Sequence, residues 1–318
     1  MQIGILERKI YSSLLKKKLG LSFKIRQLKD GDELKKNKFL DLDVLVSMTW
    51  GKTIWGGKQK ISIPKAPRLK LLQLPGSGID GIDFSLLPKG CKVCNVYEHE
   101  IPISEYVISN ILNLEIGMIN KINNFKSYDW KDSLLFSQKG HGELYGKKVG
   151  ILGFGRIGKE IAKKLKAFTV DVLTITKNKK NRVKGNKNIH YTNLNSILPE
   201  LDFLIIACDL NKTTRNLISE KNIILLKKNA VLVNIARGPI INEDDLVAAL
   251  KDEKIAGAGL DVYDKEPLPE NNKLRFLPNA LLTPHIGYVT AENYSIFYNQ
   301  MIEGLEACVN GKPIRVLD

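Results

Sequence analysis

The chain has 318 residues, a formal net charge of +15, 43% hydrophobic residues and 26% charged residues. Those proportions exclude an intrinsically disordered or fibrous protein, and the length suits two domains at roughly 150 residues each. Charge enters at Glu7 and Arg8 and no uncharged apolar run approaches the ~18 residues of a membrane span, so a soluble, cytoplasmic protein is expected. Cys91-x-x-Cys94 has no second pair to complete a zinc tetrahedron, so reduced structural thiols and no metal site are expected. The lysines are dispersed, as at Lys16 to Lys18, Lys35-Lys36 and Lys227-Lys228, without interleaved aromatics. They read as solvated helix faces and argue against nucleic acid as a partner.

Short β-rich apolar runs alternate with helical patterns along the whole chain, the signature of βα units and parallel sheets. The expected fold class is α/β, with two doubly wound parallel-sheet domains: a Rossmann dinucleotide-binding domain and a smaller flavodoxin-like substrate domain. Strands are expected at Gln2 to Leu6, Phe23 to Gln27, Val44 to Ser47, Leu69 to Leu74 and Val93 to Val96.

After Pro102, the residues Tyr106, Val107, Ile108, Ile111, Leu112, Leu114, Met118, Ile119 and Ile122 predict one long helix that is apolar on more than one face. Such a helix needs cover on both sides, from the other domain or from a second subunit, and a homodimer is expected. A polar connection around Ser127 to Gly142 leads to six further strands: Val149 to Leu152, Val170 to Thr176, Leu201 to Cys208, Ala230 to Ile235, Ala256 to Val262 and Leu281 to Thr283. The last helix carries Tyr294, Phe297, Tyr298, Met301, Leu305 and Cys308 and stops at Gly311 and Pro313. It lies beyond the sixth strand and is expected to cross back to the first domain. The substrate domain then comprises residues 1–98 and 288–318, and the dinucleotide domain residues 99–287.

Gly153-Phe154-Gly155-Arg156-Ile157-Gly158 directly follows the strand ending at Leu152 and precedes a helix from Lys159 to Phe168. That context turns a glycine pattern into a dinucleotide site: a tight turn, a close backbone approach to pyrophosphate, and close helix–strand packing. The next strand ends at Thr176, where an Asp or Glu would bind the ribose of NAD, and Lys177, Asn178, Lys179, Lys180 and Arg182 follow. A hydroxyl beside a lysine suits a 2′-phosphate, so NADP(H) is expected over NAD(H).

Of the four histidines, His99, His141, His190 and His285, the last ends the final predicted strand of the cofactor domain, in Thr283-Pro284-His285-Ile286-Gly287. Two more strand ends bear Asn234-Ile235-Ala236-Arg237-Gly238 and Gly259-Leu260-Asp261-Val262-Tyr263-Asp264-Lys265-Glu266-Pro267. With the glycine turn and Asp244 to Leu250, these blocks resemble the D-isomer-specific 2-hydroxyacid dehydrogenase family. A looser match covers Leu69 to Asp83 and Gly142 to Gly146.

The resemblance implies that Arg237 holds the substrate carboxylate and carbonyl oxygen and that His285 gives and takes the proton. Glu266 would hydrogen-bond to the imidazole, raise its pKa and fix its orientation. The amides of Gly76, Ser77 and Gly78 would bind the substrate carboxylate. Asp261 would meet the nicotinamide carboxamide, and the cofactor contacts would include Gly153, Gly155, Arg156, Ile157, Gly158, Thr176, Lys177, Ile235, Ala236 and Gly287. The chain departs from the family pattern at Asp209, where many members have proline, at Ser104-Glu105 for Ala-Glu, and in lacking a glycine after Asn95. The substrate pocket near Tyr97 and His99 is therefore expected to be atypical, and Met48, Trp50 and Trp55, beside the glycines at 51, 56 and 57, read equally as a mobile wall of that pocket or as a surface loop with buried tryptophans.

The expected function is hydride transfer between NADP(H) and a small anionic 2-keto or D-2-hydroxy acid such as glyoxylate, hydroxypyruvate or pyruvate. D-3-phosphoglycerate oxidation and a cofactor-sensing role like that of the C-terminal-binding corepressors are the alternatives on the same scaffold.

Overall fold

The computed structural model describes residues 1–6, 13, 15–18, 23–28, 38–51, 65–126, 130, 140–177, 187–190 and 193–317. Trp55, the glycines at 56 and 57, and Asn178, Lys179, Lys180 and Arg182 lie outside them. The chain divides into two units, Met1–His99 with Val289–Asp318, and Glu100–Tyr288. Both junctions fall one residue after the boundaries expected from the sequence.

The first unit is a six-stranded sheet. Its five parallel strands β1 (Gln2–Ile5), β2 (Lys24–Gln27), β3 (Val44–Val46), β4 (Leu71–Gln73) and β5 (Lys92–Cys94) stand in the order 2-1-3-4-5. A strand not expected from sequence, β13 (Val316–Leu317), adds antiparallel to β5. β3 and β4 are wholly buried and, but for Gln73, apolar, as a sheet covered on both faces requires, whereas the edge strand β2 reads Lys-Ile-Arg-Gln and is at most half-buried. The helix Ala291–Val309 starts where the Thr290 side chain accepts from Asn293 N and stops at Asn310, before Gly311 at φ +72°. Phe297, Met301 and Leu305 are buried in this unit. Gly304 leaves room for Gln73, whose Oε1 would lie 2.4 Å from an added Cβ.

The second unit is a seven-stranded parallel sheet: β6 (Lys148–Leu152), β7 (Asp171–Thr176), β8 (Lys187–His190), β9 (Phe203–Ile206), β10 (Val231–Asn234), β11 (Gly257–Leu260) and β12 (Ala280–Leu282), ordered β12-β11-β10-β9-β6-β7-β8. Alternation along the strands divides the core. Val149, Ile151, Phe203, Ile205, Val231 and Val233 join one cluster, and Leu204, Ile206, Leu232 and Leu260 the other. Six strands were expected; β8 is the seventh, a polar edge strand without an apolar run to announce it.

The helix expected beyond Pro102 is two helices. α1 (Glu100–Ile116) ends at Gly117, with φ +67°, and α2 (Met118–Lys126) follows. Val107 and Ile111 of α1 are fully buried, while Met118, Ile119, Ile122 and Phe125 of α2 are exposed. Among the described residues, no helix is long and apolar enough to cross a membrane.

Candidate active site

Parallel register places every relevant strand end of the second unit on one sheet edge. Leu152 pairs with Ile175 and Ile206, Ile206 with Asn234, Asn234 with Leu260, and Leu260 with Leu282. The turns that follow carry the residues singled out from the sequence. In doubly wound sheets this carboxyl edge is where ligands bind.

At one end of the edge, the glycine turn is built by what its residues lack. Gly153 sits at φ +101°, and an added Cβ would fall 2.5 Å from Ala207 O; at Gly158 it would fall 2.2 Å from Gly153 O. The helix α3 (Arg156–Leu165) begins three residues before the expected Lys159, and its N-cap, Gly155, supplies no side chain to its first amides. A Cβ on Gly155 would meet nothing within 4 Å. Open space before uncapped, positively polarised helix amides fits a pyrophosphate. Arg156 pairs with Glu100 at 3.6 Å, and Ile157 packs into the core beneath the turn.

Thr176 closes β7, and Lys177 Nζ donates to Thr213 Oγ1. Thr213 gives its own proton to Asn211 Oδ1 at 2.7 Å, and Thr214 Oγ1 donates to Asp209 O at 2.7 Å. The segment bearing Asp209 in place of proline is therefore braced by its own side chains.

Three turns form the other end of the edge. Asn234, buried at the end of β10, accepts from Ala236 N at 3.1 Å and donates to Arg237 O at 2.9 Å, fixing the turn around Ile235 and Ala236. Arg237 Nη1 donates to Ala236 O at 2.7 Å. A Cβ on Gly238 would lie 1.9 Å from Tyr263 C, so the Arg237 turn rests directly on the backbone that leads to Glu266.

Glu266 Oε1 accepts from Tyr263 N at 3.0 Å, while its Oε2 lies 2.8 Å from His285 Nδ1. His285 has φ +56°, a left-handed conformation that non-glycine residues seldom adopt. The turn is held by Asp261, 3% exposed, whose Oδ1 accepts from Thr283 Oγ1 at 2.7 Å and Ile286 N at 2.8 Å, and whose Oδ2 accepts from Gly287 N at 2.7 Å. Burial raises the Asp261 pKa, opposed by those hydrogen bonds and by His285 nearby. Gly287, expected among the cofactor contacts, thus has its amide engaged inside the turn.

Gly76, Ser77 and Gly78 follow β4 in the first unit, and Gly76 faces Met48, whose Sδ would lie 3.2 Å from an added Cβ. Among the described residues, no cluster of three His, Cys, Asp or Glu could hold a metal ion. Sequence reasoning missed Tyr106, read there only as part of an apolar helix pattern: its hydroxyl is bonded to Thr283 Oγ1.

The sequence profile of the "D-isomer specific 2-hydroxyacid dehydrogenase, NAD binding domain" matches residues 108–287. A glyoxylate reductase of Pyrococcus furiosus is 34% identical over 280 residues, covering 85% of this chain and 81% of that one. Glyoxylate/hydroxypyruvate reductase B of Erwinia tasmaniensis is 31% identical over 264 residues, 81% of each chain. The fold is shared with the NADPH-dependent glyoxylate/hydroxypyruvate reductase of Sinorhizobium meliloti, solved with NADP and malonate, at a TM-score of 0.82 and 24% identity over 99% of this chain and 96% of that one. A glycine turn, an arginine, a glutamate and a histidine at successive ends of one parallel sheet thus coincide with extended sequence identity, and the chain belongs to the D-isomer-specific 2-hydroxyacid dehydrogenases, NAD(P)-binding oxidoreductases.

Proposed function

We propose that this enzyme reduces a small 2-keto acid of the glyoxylate or hydroxypyruvate kind to the D-2-hydroxy acid, with NADPH preferred to NADH. The observation that carries the reading is the 2.8 Å contact between His285 Nδ1 and Glu266 Oε2, on the same sheet edge as the uncapped helix after the glycine turn. Relatives more than 30% identical over most of their length are glyoxylate and glyoxylate/hydroxypyruvate reductases, which supports the substrate class.

The residues around the glycine turn, with Thr176, Lys177, Ile235, Ala236 and Asp261, would hold the dinucleotide, whose reduced ring supplies the hydride when bound. An ionised carboxylate only accepts hydrogen bonds, so Glu266 requires a proton on Nδ1 of His285 and leaves Nε2 to face the substrate oxygen. On reduction the protonated imidazole gives its Nε2 proton to the forming alkoxide, and on oxidation the neutral ring takes it back. Arg237 offers a guanidinium fork to the carboxylate and carbonyl oxygen of the substrate, which neutralises charge and polarises the carbonyl. The amides of Gly76, Ser77 and Gly78 are proposed as further carboxylate donors.

The NADPH preference rests on Thr176 and Lys177, which place a hydroxyl and an ammonium where a carboxylate would favour NAD. The exposed Met118, Ile119, Ile122 and Phe125, with Trp130 edge-on to Phe125 at 5.3 Å, support a homodimer in which a second copy covers α2. Lysines dispersed along the chain without interleaved aromatics argue against nucleic acid as a partner.

The test follows the near-ultraviolet absorbance of the reduced nicotinamide with glyoxylate, hydroxypyruvate and pyruvate, using NADPH and NADH in turn. Turnover is expected with at least one keto acid, and cofactor binding without turnover on any of them would overturn the reading in favour of a binding protein. Lys177→Ala should raise KM for NADPH about tenfold while leaving NADH nearly unchanged, the scale of one charge-assisted contact. Equal losses for both cofactors would remove the 2′-phosphate contact.

A further inference from the structure

We propose that Tyr106 is a positioning residue for the reaction: through Thr283 and Asp261 it fixes the turn that presents the His285 imidazole. The proposal rests on the reading of His285 as the acid and base. It starts from the left-handed backbone of His285, a conformation that costs free energy and persists only when its surroundings impose it. What imposes it is the Asp261 carboxylate, which takes the two amides after His285, those of Ile286 and Gly287.

Proton counting then orders the hydroxyls. Thr283 has a single hydroxyl proton and gives it to Asp261 Oδ1, so in the Tyr106–Thr283 hydrogen bond the phenol must be the donor. Tyr106 thereby fixes the direction in which Thr283 points its proton, and Thr283 in turn fixes the carboxylate. The Tyr106 ring also packs on the same turn, with Cδ1 at 3.4 Å from a Cβ built on Gly287.

Tyr106 is itself fixed. One helical turn along α1, Asn110 Nδ2 donates to Tyr106 O at 2.9 Å. Asn110 lies against Gly259 of β11, where an added Cβ would come 2.5 Å from its Oδ1. The bare backbone of Gly259 therefore lets α1 press onto the strand that ends at Asp261. A chain of contacts runs from helix to hydroxyl to carboxylate to the strained histidine, and no member beyond His285 needs to touch substrate.

Two isosteric variants, Tyr106→Phe and Thr283→Val, and their double combination test the chain in the holoenzyme. Tyr106→Phe should lower kcat about fivefold, the scale of one neutral hydrogen bond, with a larger loss in kcat than in NADPH affinity. Because a displaced imidazole slows the proton step, the solvent deuterium isotope effect on kcat should rise, which loss of packing alone would not produce. The double variant should be no slower than Thr283→Val, since both changes interrupt one chain. An unchanged kcat in Tyr106→Phe, an unchanged isotope effect, or strictly additive losses would overturn the proposal. His285→Ala, assayed alongside, separates the two failures: parental activity in that variant would instead sink the reading of the site.

Discussion

Two histidines in the two units show how far surroundings decide what an imidazole does. His285 stands at the carboxyl edge of the second sheet, its side chain 26% exposed and its Nδ1 against a glutamate. His99 closes the first unit, is 6% exposed, and stacks on Phe297 with ring centroids 4.0 Å apart. Burial holds the His99 pKa down at about 4, so near neutrality it is an uncharged ring filling space. One imidazole faces a carboxylate; the other is buried where its charged form is disfavoured.

The largest test of that contrast is His285→Ala, which should lower kcat by at least ~100-fold with NADPH affinity nearly intact, because a general acid contributes on that scale. His99→Gln should register in stability rather than in kcat; a comparable catalytic loss there would erase the distinction.

Next in size is a pH effect on folding. The unfolded His99 binds a proton near pH 6.5 and the folded one only near pH 4, so between these values the unfolded state holds more protons and stability falls as pH falls. This group alone should remove about 2 kcal/mol between pH 7 and pH 5, at up to ~1.4 kcal/mol per pH unit. Denaturant titrations of the parent and His99→Gln at both pH values measure it, and an equal decline in both proteins would show that His99 is not the source.

Smallest is Glu266→Gln, which keeps an acceptor for Nδ1 but removes the negative charge. A carboxylate favours the protonated form of a neighbouring imidazole, and reduction requires that form. The variant should lose about tenfold in kcat for reduction, measured at fixed pH with saturating NADPH. Parental kcat in the variant would mean that the negative charge of Glu266 contributes nothing to the proton step.

Much of this was legible along the chain. The apolar runs that became strands, the glycine turn before a helix, and the Arg237, Glu266 and His285 blocks are local patterns whose meaning depends on neighbours a few residues away. β8 was not legible, because Lys187–His190 is a four-residue edge strand with no apolar run in its sequence, paired with β7 alone. Nor was the break at Gly117, since one glycine in an apolar helical pattern is compatible with either continuation or a stop. No glycine follows Asn95 as far as His99, and Glu98 adopts φ +73°, a conformation that glycine takes without strain.

Composition and spacing by themselves determined a two-domain α/β protein with a dinucleotide turn, and the resemblance of its strand-end blocks to a known family supplied the roles expected of Arg237, Glu266 and His285. Only the tertiary structure decided which oxygen of Glu266 meets His285, that Asp261 holds a strained turn, and that a tyrosine 177 residues before Thr283 bonds to it. The reason is range: propensity and periodicity act over a few residues, whereas the register of parallel strands brings together groups whose separation along the chain carries no signal of their contact.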